Sequence, residues 1–510
     1  MARFYIENFG CRATQADGAA LERQFLERGL ERAEVARDAE IVVLNTCTVT
    51  ESADKDARAS IRRLQRVNPN SRILVTGCYA QRAPEELATL PGVTWVVGNS
   101  HKHQVAEIAT SSSLAPGACS SSSTFVPLAT LSWGKLAEDQ LSIDPSGRVI
   151  VGDIFAHTEL LAAPVFEAAN ERTRPNLKVQ DGCDNRCSFC VIPYVRGRSR
   201  SLPMERVLAE VRTLVDAGYR EVVISGINLG RWGRDLESGT QHSGFSTWPK
   251  PTTNDQRLET LIRAILAQTT LAKLRISSVE PMDWSDELIG LMASSRRIAK
   301  HAHVPMQSGS DAVLRRMHRK YRPWHYREKI LKIRSAMPTA AIGADVMVGF
   351  PGETEAEFEE TRSMIEELPF TYLHVFTYSA RPGTPAAERS QHVPVAIARA
   401  RNGVLREIAS RKKKAFMQSL VGTTVEAITL HSGGADFTEA LTENYLKMKV
   451  SGRHPANHWM NLKVEAVDGE MLVAEADRNF KTRDSSSIKL TYPAIEPDNV
   501  DSSASDSGVY

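Results

Sequence analysis

The sequence predicts an α/β protein in three parts: an N-terminal domain with a parallel sheet, a partial (β/α)6 barrel and a small C-terminal β-barrel. Two stretches in which apolar strand candidates alternate with helical segments predict the first two parts, because parallel strands need crossover helices. A third stretch, residues 421–480, alternates apolar and polar residues and contains the hairpin signal Asp468-Gly469. The length agrees, since 510 residues suggest roughly three domains.

The N-terminal domain is predicted over residues 1–110. Its strand candidates are "RFYIENF", "EIVVLNT" and "RILVTG", and its helix candidates are "DGAALERQFLERGL", "ADKDARASIRRLQRV" and "RAPEELATL". Residues 111–148 begin with the Ser-rich run "SSSLAPGACSSSST" and are predicted to form a flexible insertion. Residues 149–172 are predicted to be a linker.

The barrel is predicted over residues 173–412. Its six strand candidates are "LKVQDG", "EVVISGIN", "LRISSVE", "AHVPMQ", "GADVMVGF" and "YLHVFTYS". In barrels of this kind the chemistry lies at the carboxyl ends of the strands, and those ends are polar and Gly-rich here. Residues 413–480 are assigned to the small barrel, and the acidic, Ser-rich residues 481–510 to a disordered tail.

Composition limits the classes of function. The N-terminus lacks an apolar signal region, and no stretch approaches the roughly 18 apolar residues of a membrane span, so the sequence predicts a cytoplasmic protein without a membrane partner. A formal net charge of +2 does not by itself predict a partner. Seven cysteines are too few for a disulfide framework, and clustered cysteines favour metal binding or catalysis.

Three cysteines lie within "DGCDNRCSFC": Cys183, Cys187 and Cys190. Thiolates are soft ligands for iron–sulfur clusters or zinc. The C-x3-C-x2-C spacing allows one loop to hold three corners of a cubic cluster, which leaves one iron open for a substrate or cofactor. Zinc is the alternative, but tetrahedral zinc needs four ligands, and the histidines nearest in sequence are His157 and His242. The pattern therefore favours a cluster.

A second trio, Cys11, Cys47 and Cys78, is widely spaced in sequence, but each cysteine follows a predicted strand. Because the carboxyl ends of parallel strands lie along one edge of a sheet, these thiols are predicted to converge on one site with an open position. Small buried cysteines are also common at strand ends, which is the alternative interpretation of each one taken singly. Cys119 fits neither trio and receives no role.

The first spacing, placed after the first barrel strand, resembles the radical S-adenosylmethionine superfamily, and Phe189 before the last cysteine matches its usual pattern. The whole chain, apart from the segments near 111–148 and 236–255 and the tail, resembles the methylthiotransferase family. The motifs that carry this resemblance are "NFGCRATQADG", "VVLNTCTVT", "VTGCYAQ", "LKVQDGCDNRCSFCVIPYVRGRSRS", "RISSVEP", "HVPMQSGSDAVLRRMHRKY" and "GADVMVGFPGET", together with a C-terminal barrel similar to the family's TRAM domain.

The resemblance implies two 4Fe–4S clusters. Cys183, Cys187 and Cys190 would hold the radical cluster, and Cys11, Cys47 and Cys78 an auxiliary cluster. It further implies that one S-adenosylmethionine methylates a sulfur of the auxiliary cluster and a second yields a 5′-deoxyadenosyl radical. That radical would remove a hydrogen from an unactivated C–H group, to which the methylated sulfur then bonds. An electron donor such as flavodoxin or ferredoxin is expected as a partner.

The family divides among tRNA adenosines with an isopentenyl group, tRNA adenosines with a threonylcarbamoyl group, and a ribosomal-protein aspartate. The segments "NTCTVTESADKDARASIRRLQRVNP", "INLGRWGRD" and "RISSVEP" look most like the threonylcarbamoyladenosine branch, which implies methylthiolation at C2 in the tRNA anticodon loop. The branch's usual Lys or Arg after the first cysteine is Arg12, whereas Ala13-Thr14 departs from its pattern. A non-catalytic iron–sulfur protein that binds RNA is the alternative from another class.

Other residues carry weaker expectations. Polar or backbone groups at strand ends are expected to bind S-adenosylmethionine, with strand-end capping as the alternative; the candidates are Gly226, Ser278, Glu280, Gln307 and Asp345. His301 and His303 are expected to be packed or hydrogen-bonded rather than to act as ligands. The basic runs "RRMHRKYR" and "SRKKKAF" can contact RNA phosphates or form solvated helix faces. A basic run beside a small barrel favours RNA, since such barrels often bind it.

Overall fold

The computed structural model describes residues 2–111, 142–143, 148–157, 160–161, 173–237 and 256–475. Its N-terminal part is a seven-stranded sheet with the order β2-β1-β3-β4-β5-β7-β6, parallel throughout except at β6. The strands are β1 (Arg3–Asn8), β2 (Glu31–Arg32), β3 (Ile41–Thr46), β4 (Arg72–Gly77), β5 (Val93–Val97), β6 (Ser142–Ile143) and β7 (Val149–Val151). The helices are α1 (Arg12–Glu27), α2 (Glu51–Val67), α3 (Cys78–Arg82), α4 (Pro84–Ala88) and α5 (Val105–Thr110).

The second part is a barrel of six parallel strands with helices outside. Its strands are β8 (Asn176–Asp181), β10 (Glu221–Gly226), β11 (Lys273–Ile276), β12 (His301–His303), β13 (Ala341–Val348) and β14 (Tyr372–Thr377), with the short β9 (Arg200–Ser201) antiparallel to β8. The helices are α6 (Ile192–Arg196), α7 (Met204–Asp216), α8 (Arg234–Glu237), α9 (Leu258–Gln268), α10 (Asp286–Ser294), α11 (Asp311–Arg316), α12 (Pro323–Ala336) and α13 (Glu355–Glu367).

The barrel is open on one side. Within the described residues, β8 and β14 do not pair with each other, whereas an isolated bridge between Ser278 and His303 joins the two halves. Helix α1 of the N-terminal sheet lies against β8 at this open side, where the Asn176 side chain donates to the Arg12 carbonyl over 3.2 Å. The N-terminal sheet therefore borders the interior of the barrel.

The third part is a closed five-stranded barrel with the order β15-β16-β17-β19-β18, antiparallel except between β17 and β19. Its strands are β15 (Thr424–Gly433), β16 (Phe437–Thr442), β17 (Lys447–Ser451), β18 (Trp459–Asp468) and β19 (Met471–Glu475). The 25-residue helix α14 (Val395–Ser419) leads into it. Short 3-10 turns complete the described elements: Ala36–Asp38, Asn99–Gln104, Leu229–Arg231 and Pro281–Asp283.

The predicted fold class is confirmed, but two of the sequence-derived boundaries are wrong. Residues 149–151, predicted as linker, form β7 and pair with Val96 and Val97, so the N-terminal domain does not end at 110. Val149 and Ile150 are apolar and buried against that sheet, which explains the pairing. Helix α14 also crosses the boundary predicted between 412 and 413. Most of the predicted insertion and all of the predicted tail lie outside the described residues.

Packing at the barrel wall depends on a residue without a side chain. Gly343 on β13 lies under the ring of Tyr372 on β14, and a Cβ at Gly343 would come 2.0 Å from Tyr372 Cζ. Outside the strands, a continuous apolar core joins them to their helices and includes the buried Trp232 and Trp284. No helix of the described ranges is long and apolar enough to cross a membrane, and the cytoplasmic location stays a prediction.

Candidate active site between two cysteine trios

The N-terminal sheet brings Cys11, Cys47 and Cys78 to one edge. Strands β1, β3 and β4 are parallel neighbours, and each cysteine follows one of them directly or within three residues. Gly10 has a φ of 97°, and a Cβ there would lie 2.8 Å from Cys47 Sγ. Only glycine allows this approach, so the turn at Gly10 sets Cys11 beside Cys47.

The three thiols influence one another electrostatically. Burial raises the pKa of Cys47 to about 12, and the neighbouring thiols of Cys78 and Cys11 contribute to the rise. Two polar side chains face these sulfurs: Thr14 Oγ1 lies 3.6 Å from Cys11 Sγ, and Asn99 Nδ2 lies 3.6 Å from Cys78 Sγ. Cys47 and Cys78 are buried, whereas Cys11 is exposed. The trio therefore has one accessible member.

The second trio lies on the loop after β8. The Cys190 amide donates to the Cys187 carbonyl over 3.1 Å, which curls the loop and brings its thiols together. Burial, followed by the charge of Cys187, raises the pKa of Cys190 to about 12 and that of Cys183 to about 11. The uncharged thiol is therefore the stable form of Cys183 and Cys190 at neutral pH, so a metal that binds these two must displace protons.

Several N–H groups point at the sulfurs of this second trio. The Asn185 amide lies 3.4 Å from Cys183 Sγ, Asn228 Nδ2 lies 3.7 Å from the same sulfur, and Arg319 Nη1 lies 3.2 Å from Cys187 Sγ. Hydrogen bonds of this kind orient thiolate ligands and tune the clusters they hold. Asn228 and Arg319 were not predicted as site residues, because they come from other barrel elements. Only the position of Asn228, two residues after the end of β10, could have indicated it.

The spacing of the thiols distinguishes a cluster from a single ion. Across the described ranges, one set of three His, Cys, Asp or Glu side chains has ligand atoms close enough for one ion, and it is His303, Asp345 and His374. Neither cysteine trio of the described ranges brings its three sulfurs that close together, so neither is arranged around a single ion as a tetrahedral zinc site would be. No fourth cysteine joins either trio among the described residues.

The two trios approach each other through packed side chains. Cys78 packs against Val191, which follows Cys190 directly, and against Val195 on the next helix, α6. Asn99, whose amide faces Cys78, also donates to the Val195 carbonyl over 2.7 Å. The edge of the N-terminal sheet and the cysteine loop of the barrel are therefore in direct contact, as a reaction that used both sites would require.

A buried charge network lies beneath this contact. Arg196 Nη2 lies 2.9 Å from Asp17 Oδ2, and Lys102 Nζ lies 2.9 Å from the same oxygen. Lys178 also donates to Asp17, and Asp181 accepts from Arg196 over 3.0 Å and from Lys178 over 2.8 Å. All five side chains are buried. They hold the two halves of the site together, and no local sequence pattern indicated them.

Burial alone would lower the pKa of the Arg196 guanidinium, but the charges around it raise the pKa well above its usual value. Those charges belong to Asp17 and Asp181 and then to the thiols of Cys78 and Cys11. Arg196 therefore remains a cation and places a positive charge near the first trio. Such a charge favours the thiolate form that a metal needs.

The residues predicted to bind S-adenosylmethionine are distributed along the barrel. Glu280 pairs with Arg319, and Arg319 also contacts the sulfur of Cys187. Gly226 ends β10 beside Gln180, and Ser278 bridges to His303. Phe189 packs edge-on against Phe350 with ring centroids 6.4 Å apart. The structure thus brings Glu280 and Phe189 near the second trio, and binding of the cofactor by these residues stays a prediction.

Two further candidates, Gln307 and Asp345, lie on the barrel wall. Gln307 has a φ of 61° and bridges to Val346. Asp345 Oδ1 lies 3.3 Å from both His303 Nε2 and His374 Nδ1. Burial would raise the pKa of Asp345, but the close contacts with these two histidines outweigh it and lower the pKa. His301 is buried and bonded to the Tyr372 hydroxyl, as expected.

The two basic runs are mostly internally paired. In the run 315–322, Arg315 pairs with Asp311 and Arg316 with Glu357, while Arg319 is buried beside Cys187. In the run 410–416, Arg411 pairs with Glu366 and Lys413 with Glu470. The interpretation as helix faces or internal pairs therefore fits these runs better than phosphate binding.

Comparisons with known proteins identify the family of this chain. Residues 3–98 match the uncharacterized protein family UPF0004, and residues 177–365 match the radical SAM superfamily. The chain is 34% identical over 456 residues to "Threonylcarbamoyladenosine tRNA methylthiotransferase MtaB" of Bacillus subtilis, covering 89% of this chain and 91% of that protein. The chain belongs to the MtaB methylthiotransferase family. The expectations of family, enzyme class and cofactors are thereby confirmed: it is a radical SAM methylthiotransferase that uses S-adenosylmethionine and 4Fe–4S clusters.

Other relatives of this MtaB-family chain carry two different names. An Aquifex aeolicus protein with the MtaB name is 33% identical, covering 88% of this chain and 96% of its own. The "tRNA-2-methylthio-N(6)-dimethylallyladenosine synthase" of Novosphingobium aromaticivorans is 32% identical, covering 84% of this chain and 87% of its own. Among solved structures, the radical S-adenosylmethionine methyltransferase TsrM of Kitasatospora setae matches with a TM-score of 0.49 and 14% identity, over 76% of this chain and 77% of its own.

Proposed function

We propose that this protein transfers a methylthio group to C2 of N6-threonylcarbamoyladenosine in a tRNA anticodon loop. The observation that carries the proposal is the packing of Cys78 from the first trio against Val191 and Val195, which lie on the segment that follows the second trio. The names of two relatives, 34% and 33% identical to this chain, supply the substrate. Dimethylallyladenosine is the second candidate, because relatives that carry its name are almost as similar to this chain.

Each trio is proposed to hold one 4Fe–4S cluster. Cys183, Cys187 and Cys190 would ligate the radical cluster, and Cys11, Cys47 and Cys78 the auxiliary one. When bound, the clusters and S-adenosylmethionine supply the electron, the hydrogen-abstracting radical, and the sulfur and methyl group that are transferred. Three thiols leave each cluster one position without a protein ligand, which both roles need.

The surrounding residues are proposed to hold and shield this chemistry. Arg319 and Asn228 direct N–H groups at Cys187 and Cys183 and fix those ligands in place. The apolar contact of Cys78 with Val191 and Val195 keeps water from the passage between the trios. Glu280, Gly226 and Ser278 at or after strand ends, and Gln307 and Asp345 on the barrel wall, are proposed to bind S-adenosylmethionine.

Transfer RNA is the proposed macromolecular substrate, and a flavodoxin or ferredoxin the proposed electron donor. The small C-terminal barrel supports RNA binding, since barrels of this size commonly bind single-stranded loops. Lys447 and Lys463 on that barrel are exposed and are proposed to contact RNA phosphates. An anticodon loop suits the site, because its bases can be turned outward into an enclosed pocket.

Cysteine variants test the two roles separately. In anaerobically reconstituted protein, Cys187→Ala is expected to abolish 5′-deoxyadenosine formation. Cys47→Ala is expected to keep that cleavage and lose methylthiolation, as measured by mass spectrometry of tRNA nucleosides. Cys119→Ala, outside both trios, is the matched control and is expected to retain both activities. Sulfur insertion by Cys47→Ala would show that the auxiliary role is wrong.

A further inference from the structure

Three arginines surround one tyrosine where the three parts of the chain meet. Tyr445 lies in the turn between β16 and β17 with a φ of 67°. The Arg275 guanidinium lies 5.4 Å and that of Arg174 lies 6.0 Å from its ring centroid. Arg12 Nη2 donates to the Tyr445 hydroxyl over 3.1 Å. The C-terminal barrel thus inserts a side chain beside the residue that follows Cys11.

The positive charge at this junction exceeds the negative charge. Glu221 is bound to Arg275 over 2.6 Å and lies 3.6 Å from Arg174, so a single carboxylate serves two arginines. Arg12 forms no ion pair with an acidic residue of the described ranges, although it is half-buried. Its fork of N–H donors therefore retains capacity for an anion.

Arg12 faces a polar, aromatic wall of the large barrel. The Tyr445 ring packs at a tilt against two others, with its centroid 4.8 Å from that of His301 and 6.2 Å from that of Tyr372. His301 Nε2 is bonded to the Tyr372 hydroxyl over 2.7 Å. Burial and then the charges of Arg275, His303, Arg12 and Arg174 lower the pKa of His301, so this imidazole is neutral and offers no charge to a ligand. The wall formed by His301, Tyr372 and Tyr445 is therefore polar and aromatic, not the aliphatic surface that an isopentenyl group would require.

The anion on this wall does not neutralise Arg12. Asp345 is held between His303 and His374, at 3.3 Å from each, and is not paired with Arg12. A ligand that enters from the open side of the barrel next to Cys11 would therefore meet an arginine with an unmatched charge. Burying that charge under an apolar group is unfavourable, whereas a carboxylate would pair with it.

We propose that Arg12 binds the carboxylate of the threonylcarbamoyl group, and that this contact selects that base over one with a dimethylallyl group. The inference rests on the proposed function. A guanidinium can bind a carboxylate through two parallel hydrogen bonds, and the dimethylallyl group has no polar atom to offer it. Similarity alone does not separate the two substrates, because relatives of both kinds are 34% and 32% identical to this chain.

The test compares three synthetic anticodon stem-loops. One carries threonylcarbamoyladenosine, one its analogue with a neutral carboxamide in place of the carboxylate, and one dimethylallyladenosine. For the wild-type enzyme, kcat/KM is expected to fall by about 30-fold to 1000-fold from the acid to the carboxamide, the range for removing one partner of a buried charge pair. This comparison needs no variant, so a folding defect cannot obscure it.

The Arg12→Met variant completes the cycle. Its kcat/KM is expected to fall by a similar factor on the threonylcarbamoyladenosine stem-loop. On the carboxamide stem-loop it is expected to fall little, since the contact is already absent there. Arg12→Lys is expected to fall between wild type and Arg12→Met, because it keeps the charge without the fork. Arg63→Met, which removes an arginine paired with Glu7 on the N-terminal sheet, is the matched control. Iron and sulfide content and circular dichroism verify that each variant is loaded and folded.

The possible outcomes are distinct. If Arg12→Met lowers kcat/KM equally on all three stem-loops, the proposal is overturned, because Arg12 would then stabilise the cluster site or bind an RNA phosphate. No difference between the acid and the carboxamide in wild type would overturn it as well. If wild-type enzyme instead modifies only the dimethylallyl stem-loop, it is the proposed substrate that fails. Selective loss on the acid supports both proposals.

Discussion

Arg319 shows how one side chain can connect a barrel element to a cluster ligand. It is buried, pairs with Glu280 and donates from Nη1 to Cys187 Sγ over 3.2 Å. Burial alone would lower its pKa, but Tyr321, Glu280 and Cys187 raise the pKa well above the usual value. The guanidinium thus remains a cation beside a sulfur that is proposed to ligate the radical cluster.

Arg319→Met is expected to lower the reduction potential of the radical cluster by roughly 40–60 mV. The value corresponds to losing about 1–1.4 kcal/mol of hydrogen bonding that favours the reduced, more negative state. An anaerobic redox titration monitored by EPR measures it. Arg322→Met, in the same segment but bonded to Asp311, is the control. An unchanged or higher potential for Arg319→Met would contradict the assigned contact.

At the residue scale, sequence spacing predicted both cysteine trios but not the groups that surround them. The trios could be predicted from the sequence, because local loop spacing and placement at strand ends bring their members together. Arg319 was assigned to a basic run, since sequence does not show which arginines of "RRMHRKYR" turn inward. Arg315 and Arg316 found acidic partners, and Arg319 found a sulfur. The partner of a charged side chain depends on tertiary contacts.

Among the elements, strands β13 and β14 depend on the absence of a side chain at Gly343. Gly343→Ala is expected to destabilise the protein by about 1–3 kcal/mol, because the added Cβ would come 2.0 Å from Tyr372 Cζ and displace its ring. Urea unfolding followed by circular dichroism measures the change. A shift of less than about 0.5 kcal/mol would mean that the ring moves aside freely.

Gly290→Ala is the matched control for that measurement. Gly290 lies inside α10, and a Cβ there would meet nothing within 4 Å. Alanine is favoured over glycine in a helix interior by about 0.5–1 kcal/mol, so this substitution is expected to stabilise the protein. The two glycine substitutions should therefore shift unfolding in opposite directions.

At the element scale, hydrophobic patterns predicted the principal strands but misplaced the start of α1. The sequence suggested a helix from Asp17, whereas α1 begins at Arg12. Its N-cap is Cys11, which makes no side-chain capping bond, so the usual Ser, Thr, Asp or Asn signal is absent. Strand β7 was missed because it is three residues long and is recognisable only by its pairing with β5.

For the whole molecule, the network around Asp17 joins the N-terminal sheet to the large barrel. Burial would raise the pKa of Asp17, but Arg196, Lys102 and Lys178 lower the pKa below its ordinary value of 3.8. The charged carboxylate therefore stabilises the folded state fully at pH values above 3.8. Its contribution is lost as the pH falls through the lower pKa of the folded state.

Asp17→Asn is expected to destabilise the protein by about 3–5 kcal/mol at pH 7, because it leaves buried cations without their partner. The difference from wild type should narrow as the pH falls below 3.8. Urea unfolding at pH 7 and pH 3 measures both quantities. Asp38→Asn, on an exposed turn of the same domain, is the control. An equally large difference at both pH values would exclude linkage to the Asp17 carboxyl.

At this scale the sequence predicted three parts but not how they dock. The docking contacts join residues far apart in the chain: Asp17 and Arg196 are separated by 179 positions, and Arg12 and Tyr445 by 433. Within each part, strands and helices can be predicted, because their hydrophobic patterns are local in sequence. Between the parts, contacts are formed by single side chains that have no periodicity to reveal them.

The network at Asp17 also limits how such enzymes can be recombined. Asp17 and Lys102 come from one part of the chain, while Lys178, Asp181 and Arg196 come from another. A chimaera that joins the N-terminal sheet of a distant homologue to this barrel would leave unpaired charges at a buried site. Successful hybrids should therefore be those that transplant all five positions as a unit.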